Sequence, residues 1–340
     1  MKKIITGIFI CVTLFSLNLT AQDFSKAGTS AAQFLKIPVG AKATGMAYAY
    51  TSLVDDATAL YWNPSGITSM DKVQGTVSHS TWIAGLAHSF LGIIVPAGEI
   101  GTFGISAIAL QTNKIEQTTI ELPEGTGTYF DALDFAVGMS YARAMTENVH
   151  IGATVKYINQ RIWNESAETF AVDLGAILTT GFKDMKIGLS FQNFGPDLKM
   201  SGRELIRQVD QDPNSTMNPY VETAVQTQEW GLPTSYRVST SLSLIGNEGL
   251  MQLENSQFIL ALDAVHLNDN PEHYSIGGEY RFAETFAVRG GYVFQTDEEG
   301  LTLGAGLNIP MGSTSFSFDY GYAVFGILGS VQQFTLSASL

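Results

Sequence analysis

The sequence predicts an all-β fold, a transmembrane antiparallel up-and-down β-barrel of about 14 strands with a small N-terminal plug. Three observations predict it. From residue 73 to the last residue, apolar side chains alternate with small or polar ones, which is the period of a strand. The alternating segments commonly run about 10 to 14 residues, whereas sandwich strands centre on about 5–6 and membrane strands need about 9–11. The chain is 45% hydrophobic and only 15% charged, against roughly 25% charged in soluble domains. Past residue 21 no apolar run approaches the ~18 residues of a membrane helix. Strands that face lipid explain a chain so poor in charge.

The first element, residues 1–21, reads as a signal peptide. Lys2 and Lys3 supply the positive start, Ile4 to Leu17 the apolar run, and Leu19-Thr20-Ala21 the small-residue cleavage pattern. The processed chain is then expected to begin at Gln22. Cys11, the only cysteine, falls inside this segment. Ile10 stands before it where a lipid-attachment signal needs a small residue. No disulfide, thiolate metal site or cysteine nucleophile is therefore expected.

Residues 22–72 do not alternate and read as a plug segment. Small residues recur at short spacing (Gly40, Ala41, Ala43, Gly45, Ala47, Ala49), which lets a backbone pack tightly inside a barrel. The stretch Asp55-Asp56-Ala57-Thr58-Ala59-Leu60-Tyr61-Trp62-Asn63-Pro64-Ser65-Gly66 follows. Asp55 or Asp56 is suited to cap a helical turn over Ala57–Trp62. Asn63-Pro64 should end that turn, because the residue before proline is pushed out of helical space.

Residues 41–49 with this DDATALYWNPSG stretch resemble the N-terminal signature of the PorV/PorQ family, related to the FadL-type transporters of long-chain fatty acids. The motif covers roughly residues 40–67, with Ser65 in place of a more usual alanine and Ala47 in place of a common second glycine. The resemblance implies a fourteen-stranded barrel with an N-terminal plug, and it sharpens the strand count. It implies two roles. PorV-like members act in type IX secretion in Bacteroidetes, receiving the C-terminal domains of exported cargo. FadL-like members carry hydrophobic small molecules through a plugged lumen and a lateral opening.

Residues 73–340 divide into expected strands at 73–83, 86–96, 100–112, 133–145, 149–162, 168–181, 184–195, 234–246, 256–268, 272–282, 285–297, 300–310, 313–323 and 330–340. With both ends periplasmic, connections after even-numbered strands are periplasmic and short, apart from 247–255. The two longest connections, 113–132 and 196–233, both follow odd-numbered strands and are expected outside the cell. Aromatic residues near segment ends (Tyr157, Trp163, Tyr236, Phe282, Phe286, Tyr292, Phe294) suit interfacial girdles. The last strand runs to Leu340, an apolar terminal residue where an aromatic is more usual. Within the long loop, Ser201–Val209 is expected to form a short amphipathic helix over the pore mouth, and the loop to serve either as a lid or docking surface or merely as surface cover.

The faces turned inward carry Asp134, Lys156, Asp173, Asp263, Glu279, Arg281, Arg289 and Asp319. A plug bearing Asp55 and Asp56 needs partners such as Arg281 or Arg289, because an unpaired buried charge is costly. These charges are therefore expected to brace plug against wall. With Lys2 and Lys3 set aside, 16 basic residues face 32 acidic ones, a balance of −16, which argues against nucleic-acid binding. The five histidines (His79, His88, His150, His266, His273) form no close ligand pair, and no nucleophile elbow, phosphate loop or dinucleotide fingerprint occurs. No catalytic residue, metal or cofactor is expected. The alternation points to an outer-membrane barrel, and the resemblance implies a link to type IX secretion, with FadL-like transport as the alternative. The expected partners are outer-membrane lipid, the type IX translocon or cargo C-terminal domains, and a hydrophobic small molecule.

Overall fold

The computed structural model describes residues 26–209, 221–247 and 249–340. The expected signal peptide, 1–21, lies outside the described residues. Fourteen strands form the wall. They are β1 (Gln74–Thr81), β2 (Ala87–Pro96), β3 (Thr102–Gln111), β4 (Ala132–Ala144) and β5 (Val149–Ile162). Next come β6 (Glu165–Thr179), β7 (Lys186–Phe194), β8 (Ser235–Ile245), β9 (Ser256–Leu267) and β10 (His273–Phe282). The wall ends with β11 (Phe286–Phe294), β12 (Leu301–Met311), β13 (Thr314–Val324) and β14 (Ser330–Ser339). Each is antiparallel to its neighbours, and β1 pairs with β14 from Gln74↔Ser339 to Thr81↔Gln332, closing the barrel.

The fourteen strands fall where the alternation placed them, to within a few residues. The largest differences, three residues each, are at the end of β11, which stops at Phe294, and at the start of β6, which begins at Glu165 because Trp163 takes a left-handed turn (φ 53°) and the chain reverses at once. The expected helix over Ser201–Val209 does not form. Ile206–Val209 instead pairs as a strand with Val221–Ala224, and only Arg203–Leu205 makes a tight helical turn. A partner segment satisfies the backbone of β-branched Ile206 and Val209 better than one isolated helical turn does.

Outward faces are apolar and exposed, as at Val288, Leu336 and Met139. In lipid this exposure is burial, and the pairing of β1 with β14 joins the two ends of the sheet. Exposed aromatics mark both ends: Phe103, Tyr141, Phe282 and Phe286 on the side where β1 begins and β14 ends, Phe170, Tyr236, Tyr292 and Phe294 on the other.

Inside the wall, the N-terminal segment descends from one mouth to the other. It contains a turn at Gln33–Lys36, helix α1 (Ala41–Gly45), helix α2 (Ala59–Trp62) and a turn at Pro64–Ser69. Inward-facing glycines mark where it touches the wall. A Cβ on Gly304 of β12 would lie 2.9 Å from the Gly45 Cα, and one on Gly175 of β6 would lie 2.8 Å from Pro64 Cδ. The wall glycines therefore admit the plug's backbone. The core is this plug, with Trp62, Leu60, Ile67 and Phe34 buried against Ile94, Ile108 and Ile158 of the wall.

Candidate functional site

The plug motif is organised by its polar side chains. Asp56 Oδ1 accepts from Thr58 N–H at 2.8 Å and from the Thr58 hydroxyl, so it precedes α2 and fixes the turn leading into it. Helix α2 starts at Ala59, two residues later than the sequence suggests, and ends at Trp62. Asn63 then turns extended (φ −160°, ψ 104°) before Pro64. Trp62 is fully buried, donates from Nε1 to Val39 O at 2.7 Å and lies 4.9 Å beneath the Arg237 guanidinium. Asn63 Nδ2 lies 3.1 Å from Thr51 O in the plug, 3.2 Å from Ala176 O of β6 and 3.3 Å from Leu189 O of β7. Its Oδ1 accepts from Ser65 N–H and Oγ. One side chain thus ties the plug to two neighbouring strands. Pro64 seats against Gly152 and Gly175, while Gly66 leaves room for Val54.

The inward charges gather into separate groups. The largest joins plug and wall. Asp55 receives Arg281 at 2.6 Å, Lys42 at 3.1 Å and the Tyr50 hydroxyl at 2.7 Å. Glu279 bridges Arg281 (2.5 Å) and Arg289, and Arg289 continues to Asp319 at 2.8 Å. Lys42 also reaches Asp56 at 3.5 Å. Of the two arginines proposed for the plug, Arg281 takes Asp55, while Arg289 serves the wall carboxylates. Burial pushes the Asp55 carboxyl up, but Lys42 and then Arg281 outweigh it and hold the group well below the usual range. A cavity of about 500 Å³ opens below this network toward the mouth where β1 begins and β14 ends, bounded by Lys72, Gln74, Ser317 and Ser337 among others. Its lining is mostly polar, with Met70, Phe286 and Leu307 among the apolar residues.

The remaining charges stand apart. Asp263 accepts from the Ser239 hydroxyl and from Thr51 N–H at 3.3 Å. Asp134 accepts from Gln160 at 2.8 Å. Lys156 pairs with Asp173 at 2.8 Å and donates to Asn193 Oδ1 at 2.5 Å. No cluster of three His, Cys, Asp or Glu side chains able to hold a metal occurs among the described residues.

The Lys156–Asp173–Asn193 group marks a feature absent from the sequence reading. β6 and β7 pair from Thr179↔Lys186 to Leu174↔Phe191, shift register, and pair once more at Val172↔Phe194. Asn193 takes the left-handed conformation (φ 63°), and its N–H donates to Asp173 Oδ1 at 2.8 Å. Above this bulge β7 leaves the wall. β6 meets its next partner on that side only at Ser166↔Ser201 and Glu165↔Gly202. Between these points the ladder is open, and residues 195–198 stop the gap from inside. The Thr169 hydroxyl donates to Pro196 O at 3.2 Å, and Leu198 is 2% exposed. Gly195 lies so close to Phe170 O that a side chain there would overlap it. Ala167, Thr169 and Ala171, the inward residues of β6, are small enough to admit this shutter. Outside, Phe170 and Phe194 are exposed, and Phe191 stacks on Tyr236 at 4.6 Å. The signal in the sequence was Asn193-Phe194-Gly195-Pro196: asparagine tolerates the left-handed turn, and Gly-Pro ends pairing.

No family model matches the sequence, and no curated protein matches it in sequence. Solved structures do share the fold. The chain resembles the Ralstonia pickettii toluene transporter TbuX with a TM-score of 0.53 at 13% identity, over 88% of this chain and 97% of that one. The Pseudomonas putida toluene transporter TodX matches with a TM-score of 0.53 at 12% identity, covering 88% and 97%. A Pseudomonas aeruginosa FadL homologue matches with 0.52 at 12%, covering 89% and 98%. The fold is that of FadL-type outer-membrane barrels, and a closed barrel of this build belongs in the outer membrane of a Gram-negative bacterium.

Proposed function

We propose that this barrel conducts hydrophobic small molecules from the cell surface into the outer membrane, through the interrupted β6–β7 seam. The interruption is the observation that carries the reading. The plug fills the middle of the barrel against wall glycines, and the large cavity below it is mostly polar. An apolar solute therefore has a better exit sideways, past the small inward residues of β6 and the aromatic outer surface, than straight down. The structurally similar proteins include two toluene transporters and a monoaromatic hydrocarbon channel, which makes toluene the first probe.

Cysteines at Val172 and Phe194, which face each other in register, should form a cross-link that staples the lower edge of the gap. Toluene influx into cells carrying the barrel should fall about tenfold on oxidation and return on reduction, as expected for a conformational gate. Equal influx in both states removes the seam from the path.

A second reading, docking of cargo C-terminal domains in type IX secretion, draws support from the plug signature at residues 41–66. It is also favoured by exposed Ile120 and Leu122 on the 112–131 loop. Affinity purification from gently solubilised membranes separates the two. Co-purified exported proteins or translocon components favour secretion, whereas bound hydrophobic compounds alone favour transport.

A further inference from the structure

The plug's route through the barrel has a direction. At its lower end, Val73 O accepts from Leu340 N–H at 2.9 Å, beside the paired ends of β1 and β14. At its upper end, Ser30 pairs with Gly231 in the 195–234 loop, and Ala31 N–H donates to Gly231 O at 2.9 Å. Ala32 N–H donates to Gln160 Oε1 at 2.9 Å, near the extracellular end of β5. Asp269, in the β9–β10 connection, collects most of the remaining contacts. It accepts from Gln33 at 2.7 Å, from Lys36 at 3.0 Å and from the Ser30 hydroxyl. Asp269 is 1% exposed, yet its carboxyl lies below the ordinary range. Burial pushes it up, and the donors Ser30, Gln33 and Lys36 outweigh that push. Lys26 to Thr29, just before these contacts, are exposed.

We infer that residues 26–36 form an extracellular strap: the chain enters the barrel from the cell surface, and Asp269 pins it beneath the long loop. The strap also touches the seam. Gly231 follows Trp230, which pairs with Leu198 of the shutter, so the strap backs the segment that stops the β6–β7 gap. Charge-assisted donors on one buried carboxylate are stronger than neutral ones. Loss of that carboxylate frees three side chains together, while the barrel's own ladders stay intact. The strap rests on the outer-membrane orientation assumed for transport, and its test separates the two.

Single cysteines placed at Ala27, Glu121 and Glu99, in a Cys11→Ser background, are probed with a membrane-impermeant maleimide on intact cells. Glu121 lies in the 112–131 loop and Glu99 in the β2–β3 turn at the opposite end. Labelling of Ala27→Cys and Glu121→Cys in intact cells, with Glu99→Cys labelled only after permeabilisation, is the expected result. Labelling of Glu121→Cys without Ala27→Cys overturns the strap and leaves the seam reading standing. Labelling of Glu99→Cys alone overturns the orientation, and both proposals with it. In a second measurement, Asp269→Ala should speed external trypsin cleavage after Lys36 about tenfold, because cleavage follows local opening. Gln33→Ala, which removes one donor, should give a smaller increase. An unchanged rate in Asp269→Ala, with the barrel still heat-resistant on a gel, removes Asp269 as the pin.

Discussion

Two seams of this barrel join neighbouring strands in opposite ways. The β1–β14 seam pairs from Gln74↔Ser339 to Thr81↔Gln332 without a shift. Its inward face carries a ladder of hydroxyls, with Thr76 to Ser337 at 2.7 Å and Ser78 to Thr335 at 2.9 Å. The plug reinforces that ladder: Ala41 N–H donates to Thr335 Oγ1 at 2.9 Å, and Thr44 Oγ1 to Gln333 at 2.5 Å. The β6–β7 seam stops halfway, at a bulge held by a buried ion pair, and is finished by a loop. The first seam closes through backbone ladders, so every residue contributes a little. The second depends on a few side chains, and a structure closed in that way can reopen without dismantling the wall.

The largest expected effect is on the interrupted seam. Asp173→Ala leaves Lys156 buried without its carboxylate and removes the acceptor for Asn193 N–H. Breaking such a pair costs about 3–5 kcal/mol, so the folded barrel should lose its heat resistance at a clearly lower temperature in a gel-shift assay. A transition equal to wild type would mean that the ion pair does not hold the bulge.

A smaller loss is expected from Gly175→Val. Its new side chain would overlap Asn63 and Pro64 and loosen the tie that Asn63 makes to β6 and β7. Overpacking of this kind costs roughly 1–3 kcal/mol, and urea titration of the reconstituted barrel reads it directly. Thr335→Val on the continuous seam removes the acceptor for Ala41 N–H and the donor to Ser78, and should cost about 1–3 kcal/mol, the range for a buried donor left unpaired. Toluene influx should not change. A large change in influx from Thr335→Val would erase the distinction between the seams.

The smallest effect concerns pH. Burial pushes the Glu299 carboxyl, in the β11–β12 loop, up to about 7, with Arg237 of β8 opposing. A carboxyl raised on folding favours the folded state while protonated. Its contribution is fully present below the unfolded value of about 4.3 and is lost as pH rises through about 7. Glu299→Gln should therefore flatten the stability profile between those limits. An unaltered profile assigns the slope to other groups.

Much of the wall was legible in the sequence because its cause is local. Each wall residue faces either lipid or lumen, so period two recurs in every strand and even Arg281 and Arg289 could be assigned to the inner face. The break at Asn63-Pro64 was legible for the same reason, since proline acts on its immediate neighbour. The Ser201–Val209 segment misled because its spacing fits a helix, while its hydrogen-bond partner, Val221–Ala224, lies beyond a long stretch of chain.

By itself, the sequence determined the strand positions, their inward and outward faces, the side of the two longest loops and the stop after α2. Only the tertiary structure decided that Asp55 would meet Arg281, 226 residues away, while Arg289 went to Glu279 and Asp319. It also decided that β7 would leave β6 at Asn193 and that Asp269 would gather Ser30, Gln33 and Lys36. Alternation tells which face a side chain takes, but the height and sector where it finds a partner depend on the register of every strand between them. Register is set by closure of the whole ring.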